Sequence, residues 1–206
     1  MTKKEKFLSY LKECFAEPKC ELNFSNNFEL LIAVILSAQC TDKRVNAVTE
    51  KLFKKLKTPQ DFVNISQEEL EVLIKSCGLY HSKAKNIKKA CKSIVNDFNG
   101  SLPRNYNDLL SLAGVGRKTA NVVSSIVYGE NRIAVDTHVL RVSNRLGFSK
   151  SKNPNICEKD LTKLFKNDLK DLHYRMVLFG RYNCTAKNPK CENCKLKENC
   201  LYFKNK

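Results

Sequence analysis

Apolar residues recur along most of the chain at three- and four-residue spacings, the period of amphipathic helices and not the alternation of strands. Phe7, Leu8, Leu11 and Phe15 fall on one face of a first helix. Asn26 or Asn27 caps a second, running from Phe28 to about Gln39, which is apolar on nearly every side and therefore central. Asp42 opens a third with Val45, Val48, Leu52 and Leu56 facing inward. Thr58-Pro59 is expected to end it, because proline cannot continue the ladder and restricts the residue before it. Ser66-Gln-Glu-Glu predicts a capping box with Glu69, heading a helix that stops at Gly78.

Another helix is expected from Ser82 to Asn99-Gly100, then a short one from about Tyr106 to Leu112. A glycine turn leads into a helix from about Gly116 to Tyr128, broken by Gly129-Glu-Asn. Ile133-Ala-Val135 reads as extended but is too short to found a sheet. Asp136 caps a helix ending near Gly147, and two more are expected near 154–167 and 171–182. With no solenoid repeat and no low-complexity segment, the pattern predicts an all-α protein. Its most apolar run, Leu30 to Leu36, is too short to cross a bilayer. The N-terminal Met-Thr-Lys-Lys-Glu-Lys-Phe-Leu reads as an amphipathic helix and not as a signal peptide. A cytoplasmic protein is expected, nucleoid-associated if bacterial, with no membrane partner.

Composition adds a partner. The 206 residues suffice for one large domain or two small ones. Lys and Arg number 37 against 21 Asp and Glu, a formal charge of +16 that points to a polyanion, most simply nucleic acid. The plainer reading is a basic surface that serves solubility, and charge alone does not separate DNA from RNA. Of the ten cysteines, Cys14, Cys20, Cys40, Cys77, Cys91 and Cys157 are scattered through helical pattern, as small hydrophobes in a reducing compartment. Cys184, Cys191, Cys194 and Cys200 instead form Cys-x6-Cys-x2-Cys-x5-Cys after the last helix. Four thiolates in a short loop suit tetrahedral zinc or an iron–sulfur cluster, and this spacing leaves both open. Lys187 and Lys190, between the first two cysteines, form a basic loop able to meet phosphate.

The densest signal is Leu-Ala-Gly-Val-Gly-Arg-Lys-Thr-Ala-Asn, residues 112–121. Two helices joined through Gly114, Val115 and Gly116 make a hairpin whose backbone amides and helix start can grip a phosphate without reading bases. Both glycines are expected at positive φ, where a phosphate approaches without meeting a Cβ; the ordinary reading is a glycine-rich connection. Lys118 then lies in the first turn of the following helix. Most lysines on a basic protein are solvated charges or phosphate contacts, but one that is partly buried there can serve as a nucleophile. From Lys118 to Tyr128 the helix climbs about 15 Å, and the extended segment after it is long enough to bring Asp136 back beside its start. Capping alone also explains an aspartate at 136.

These residues resemble the endonuclease III-type DNA glycosylases of the helix–hairpin–helix superfamily over nearly the whole chain. The resemblance rests on Leu-Ser-Ala-Gln (36–39) followed by Thr-Asp, Gly-Leu-Tyr (78–80) before Ser-Lys-Ala, the 112–121 segment, Val-Asp-Thr-His (135–138) and the cysteine spacing. It implies two helical lobes with a DNA-binding cleft between them: a six-helix domain over 20–131, and a cluster domain built from 1–19 with 132–206. It further implies a monomeric, bifunctional glycosylase and AP lyase that excises oxidised pyrimidines from double-stranded DNA and nicks abasic sites. Lys118 would be the nucleophile and Asp136 its assistant. Gln39 would fill the gap left by an extruded base and Leu79 would wedge the opposite strand, since a base inside a stacked duplex is out of reach. The four late cysteines would hold a 4Fe–4S cluster. Ala113 stands where the family usually has proline, and a small effect is expected. The competing readings are a mismatch-specific adenine or thymine glycosylase of the same superfamily, which departs at the Lys118 position, and a non-catalytic helix–hairpin–helix DNA-binding protein.

Overall fold

The computed structural model describes residues 1–167 and 169–205, and among them only helices, turns and irregular segments occur, with no strand. The α-helices are α1 (Lys3–Cys14), α2 (Asn27–Leu36), α3 (Asp42–Lys55), α4 (Pro59–Asn64), α5 (Gln67–Ile74), α6 (Tyr80–Asp97), α7 (Tyr106–Ser111), α8 (Arg117–Tyr128), α9 (Thr137–Leu146), α10 (Pro154–Phe165), α11 (Leu169–Tyr182) and α12 (Leu201–Lys204). The chain divides into two compact units, residues 20–128 and residues 1–19 with 129–206.

In the unit of residues 20–128, α2 is the axis: every residue from Glu29 to Leu36 is buried. Val45, Val48 and Leu52 of α3, Ala84, Ile87, Cys91 and Ile94 of α6, and Ala120 and Val123 of α8 complete its core. Tyr106 donates its hydroxyl to the buried Asn121 side chain at 2.7 Å, which ties α7 to α8. Thr58-Pro59 does not merely end α3, as expected; it starts α4. Proline fits a helix's first position, where its missing N–H is not needed. The Thr58 hydroxyl accepts from the Asp61 amide while the Asp61 carboxylate accepts from Thr58 N at 2.9 Å and Lys57 N at 2.8 Å. Helix α5 ends at Ile74 and tightens to a 3-10 turn over Lys75–Cys77 before Gly78. Helix α6 begins at Tyr80, two residues ahead of Ser82.

In the other unit Phe7 and Leu11 are fully buried, with the Phe7 ring 4.8 Å from Phe148 and 5.9 Å from Phe165. Leu8 is 36% exposed and leaves the face that was expected to include it. Lys4 donates to the Leu164 carbonyl and Arg175 Nε to the Phe15 carbonyl, at 2.8 and 3.0 Å, so α1 is joined to α10 and α11 by polar bonds as well as packing. Ile133, Ala134 and Val135 are buried outside any helix, with the Ala134 carbonyl 2.9 Å from His173 Nδ1. Six scattered cysteines divide into buried Cys77, Cys91 and Cys157 and half-buried Cys14, Cys20 and Cys40. Burial pushes the Cys91 thiol up to about 12, the behaviour of an inert core group. Among the described residues no helix is long and apolar enough to cross a membrane.

Candidate active site and metal centre

The hairpin is closed by Val115, whose amide donates to the Leu112 carbonyl at 3.0 Å and whose side chain is buried in the core of residues 20–128. Its N–H is therefore used inside the turn. The remaining donors are at the head of α8, before the first intrahelical bond from Ala120 N to Gly116 O at 2.9 Å. Gly114 has φ +80°, and a Cβ there would stand 2.9 Å from Asn86 Cβ. Gly116 has no positive φ and nothing within 4 Å of a Cβ, so the expectation of two left-handed glycines holds for Gly114 alone. What glycine at 116 leaves is open space beside the positive end of the α8 dipole, where an anion is favoured. Lys118, second residue of α8, is exposed and not partly buried.

Gln39 and Leu79 share an unusual backbone. Both adopt the left-handed region, with φ of +52° and +47°, and both are exposed, Leu79 to 57%. A branched apolar residue held left-handed and in solvent is costly twice over, and such residues persist where a fold holds a loop for use. Lys83 follows Leu79 by four positions and was given no role from sequence. It is 5% exposed, and its ammonium donates to the Leu36 carbonyl at 2.9 Å and the Cys77 carbonyl at 2.6 Å. Its position on the stripe of Ala84, Ile87, Cys91 and Ile94 was the available signal, since a cation there must find partners.

In the other unit Asp136 is half-buried and caps α9, its carboxylate accepting from Val139 N at 2.8 Å. Two residues on, His138 Nδ1 lies 3.2 Å from Arg141 Nη2, which also donates to the Gly180 carbonyl at 2.7 Å. Burial, with Arg141 and Arg181 nearby, holds the His138 imidazole below its ordinary pKa, against the pull of Asp136. Arg141 Nε reaches the Cys184 carbonyl at 3.1 Å.

The four late cysteines line one cavity of about 80 Å³, together with Tyr10, Leu146, Phe179 and Tyr202. Arg145 organises its rim. Its Nη1 donates to the Thr185 carbonyl at 2.7 Å and lies 3.3 Å from Cys184 Sγ, Nη2 donates to the Ala186 carbonyl at 3.1 Å, and the guanidinium stacks 4.1 Å from the Tyr202 ring. Burial raises the Cys184 and Cys194 thiols, while Arg145 and Arg141 pull Cys184 the other way. Buried thiols of this kind become thiolates when a metal centre compensates the charge. Among the described residues no three His, Cys, Asp or Glu side chains gather closely enough for a single metal ion. Four thiols spread around a common cavity suit a body with several attachment points, and the residues present fit an iron–sulfur cluster. Lys187 and Lys190 are exposed on the loop between the first two cysteines, whose turn is fixed by Thr185 Oγ donating to Lys187 O at 2.6 Å and Lys190 N to Asn183 O at 3.0 Å.

Residues 32–167 match the family model described as HhH-GPD superfamily base excision DNA repair protein, and residues 184–200 match the iron–sulfur binding domain of endonuclease III. Endonuclease III of Bacillus subtilis is 50% identical over 94% of this chain and 89% of its own length. That of Escherichia coli K12 is 44% identical over 97% and 95%. The fold also matches a solved trapped endonuclease III–DNA covalent intermediate at TM-score 0.94 and 47% identity, covering 100% of this chain and 98% of that one. A thermostable thymine-DNA glycosylase matches at TM-score 0.86 with 25% identity, over 99% and 98% of the two chains.

Proposed function

The chain belongs to the endonuclease III family and is a bifunctional DNA glycosylase and AP lyase of base excision repair that carries a 4Fe–4S cluster; on that premise we propose that Lys118 is its nucleophile and that oxidised pyrimidines in duplex DNA are its substrates. The observation that carries this reading is Lys118 itself, exposed in the first turn of α8, next to the glycine opening where a DNA phosphate would sit. Once Nζ has given up a proton it attacks deoxyribose C1′ and the glycosidic bond breaks, so the damaged base leaves with the bonding pair and takes a proton. The sugar ring opens to a Schiff base between Nζ and C1′. Loss of a C2′ proton then expels the 3′ phosphate, nicking the strand, and water releases the lysine from C1′.

Asp136 is proposed to stabilise the positive charge that develops in this sequence and to assist the proton transfers. Its bond to Val139 N fixes where that carboxylate points. Gln39 fills the place of the extruded base and Leu79 presses on the opposite strand, roles that suit exposed side chains on constrained backbone. Phosphates are held at Gly114, Gly116 and the head of α8, with Val115, whose own N–H and side chain are used inside the protein, closing the hairpin that presents them, and with Lys187 and Lys190 as further contacts. Cys184, Cys191, Cys194 and Cys200 hold the cluster, which when bound supplies a cross-link for the tail. The protein is proposed to act as a monomer. The mismatch-glycosylase readings depart at position 118, and the non-catalytic reading leaves Lys118 only a phosphate contact.

Borohydride trapping is the test. Duplex DNA containing thymine glycol is expected to be nicked, and reduction to freeze a protein–DNA adduct. Lys118→Ala is expected to abolish the adduct while duplex binding remains; an adduct that persists in that variant overturns the assignment.

A further inference from the structure

Lys83 is the residue whose position is not explained by either the core or the proposed chemistry. Removing an ammonium from water is costly unless its charge and donors are matched. Here the match is made by backbone at two helix ends. Leu36 is the last residue of α2 and Cys77 the last of the 3-10 turn, and each carbonyl accepts from the same Nζ. Helix ends leave unpaired carbonyls and the negative end of a dipole, and a cation placed there satisfies both. The thiols of Cys40 and Cys77 border the same ammonium.

The two capped ends have one thing in common. Three residues beyond Leu36 is Gln39 at φ +52°, and two beyond Cys77 is Leu79 at φ +47°. The Lys83 amide also donates to the Leu79 carbonyl at 3.0 Å, so backbone and side chain of one residue both hold the Leu79 segment. A side chain on α6 thus links two loops far apart in sequence, each ending in an exposed left-handed residue. Nearby, Arg44 Nη1 donates to the Ser76 carbonyl at 3.4 Å, but that side chain is exposed and its bond reaches only the Leu79 loop.

We propose that Lys83 is a positioning residue for base extrusion: its buried ammonium fixes the spacing of Gln39 and Leu79, so that gap filling and strand wedging occur together. The proposal rests on the reading of those two residues as the ones that enter the duplex. Lys83 touches no substrate; it sets where the two inserting side chains stand before DNA arrives, when misplacement by about 1 Å is enough to cost on the order of a hundredfold.

The experiment uses the full chain with its cluster and a duplex carrying 2-aminopurine beside the lesion, whose fluorescence rises on unstacking. Lys83→Met is expected to keep the absorbance near 400 nm and to nick an abasic site in single-stranded DNA at a rate within about twofold of the parent. Its fluorescence rise and its single-turnover excision from duplex are expected to slow on the order of tenfold to a hundredfold. Lys83→Arg, which keeps a cation, is expected to recover part of the loss. In a cycle with Leu79→Ala the losses are expected to be less than additive. Should Lys83→Met not fold, Lys83→Gln, which keeps donors, is measured in its place. Parent-like extrusion and excision in whichever variant folds overturns the proposal, as does an equal loss on single-stranded and duplex DNA. If Gln39→Ala and Leu79→Ala themselves leave extrusion unchanged, the reading of those two residues falls instead.

Discussion

The unit of residues 20–128 and the unit built from both chain ends hold their functional loops by different means. In the first, α2 is buried on all sides and an apolar core surrounds it, so the loops at Gln39, Leu79 and Gly114 emerge from a body that is already closed. In the second, α1, α9, α10 and α11 make a core of their own, to which the described residues of the cysteine segment beyond α11 add Leu196, with Cys184, Cys194 and Cys200 half-buried against it. That segment is held by carbonyl bonds from Arg141 and Arg145 and by what the four thiols bind. Apolar burial is non-directional and suits a framework, whereas the seventeen residues from Cys184 to Cys200, with so little apolar content, need directional bonds and a metal centre. Even so, each unit spends a buried or half-buried cation on holding loops to carbonyls: Lys83 in one, Arg145 in the other.

The sharpest way to separate the two is to strip the cluster. Hydrogen exchange is expected to show protection lost throughout residues 184–205 while amides of α2 and α6 stay protected; loss of protection in both units together would break the comparison. Next in size is a core truncation. Leu70→Ala, at a fully buried site, is expected to cost about 2–5 kcal/mol on chemical denaturation while the absorbance near 400 nm survives in the folded protein.

The two hairpin glycines refine the contrast between framework and grip. Gly114→Ala is expected to lose about 1–3 kcal/mol, because it forces a Cβ into the left-handed region and against Asn86. Gly116→Ala is expected to leave the melting temperature almost unchanged while weakening duplex binding, measured by fluorescence anisotropy. Equal melting losses in both would show that the fold, and not a ligand, requires the second glycine.

The smallest effect expected is a pH dependence in the second unit. His138 has its pKa lowered in the folded state by burial and by Arg141 and Arg181, so the unfolded chain binds the proton more readily. Its contribution is therefore intact above the ordinary histidine pKa and is lost as pH falls through and below that value. Protonation also removes Nδ1 as an acceptor for Arg141. Melting temperature followed from pH 7.5 down to about 5 is expected to fall less steeply in His138→Gln than in the parent; identical slopes would remove His138 from the account.

Much of the fold was legible because helix signals are local. The Ser66–Glu69 capping box, Asn26 and Asp136 as caps, and the inward face of α3 follow from spacings within a few residues. Helix α4 was legible too and was misread: Thr58-Pro59 followed by Asp61 contains a capping box, but proline fits a helix start as well as a helix stop. Leu8 was assigned inward on period alone, although α1 buries only a narrow stripe.

By itself the sequence determined the all-α class, the hairpin, the lysine after it and the cysteine set, because each is written in neighbouring residues. Tertiary structure decided which of these positions are constrained and by what. Gly114 needs its glycine because of Asn86, and Gly116 does not need one for the fold. Lys83 had no role of its own among 37 basic residues until its ammonium met a carbonyl 47 positions away. Burial is a property of the folded whole, and it is burial that turns an ordinary lysine into a structural cation.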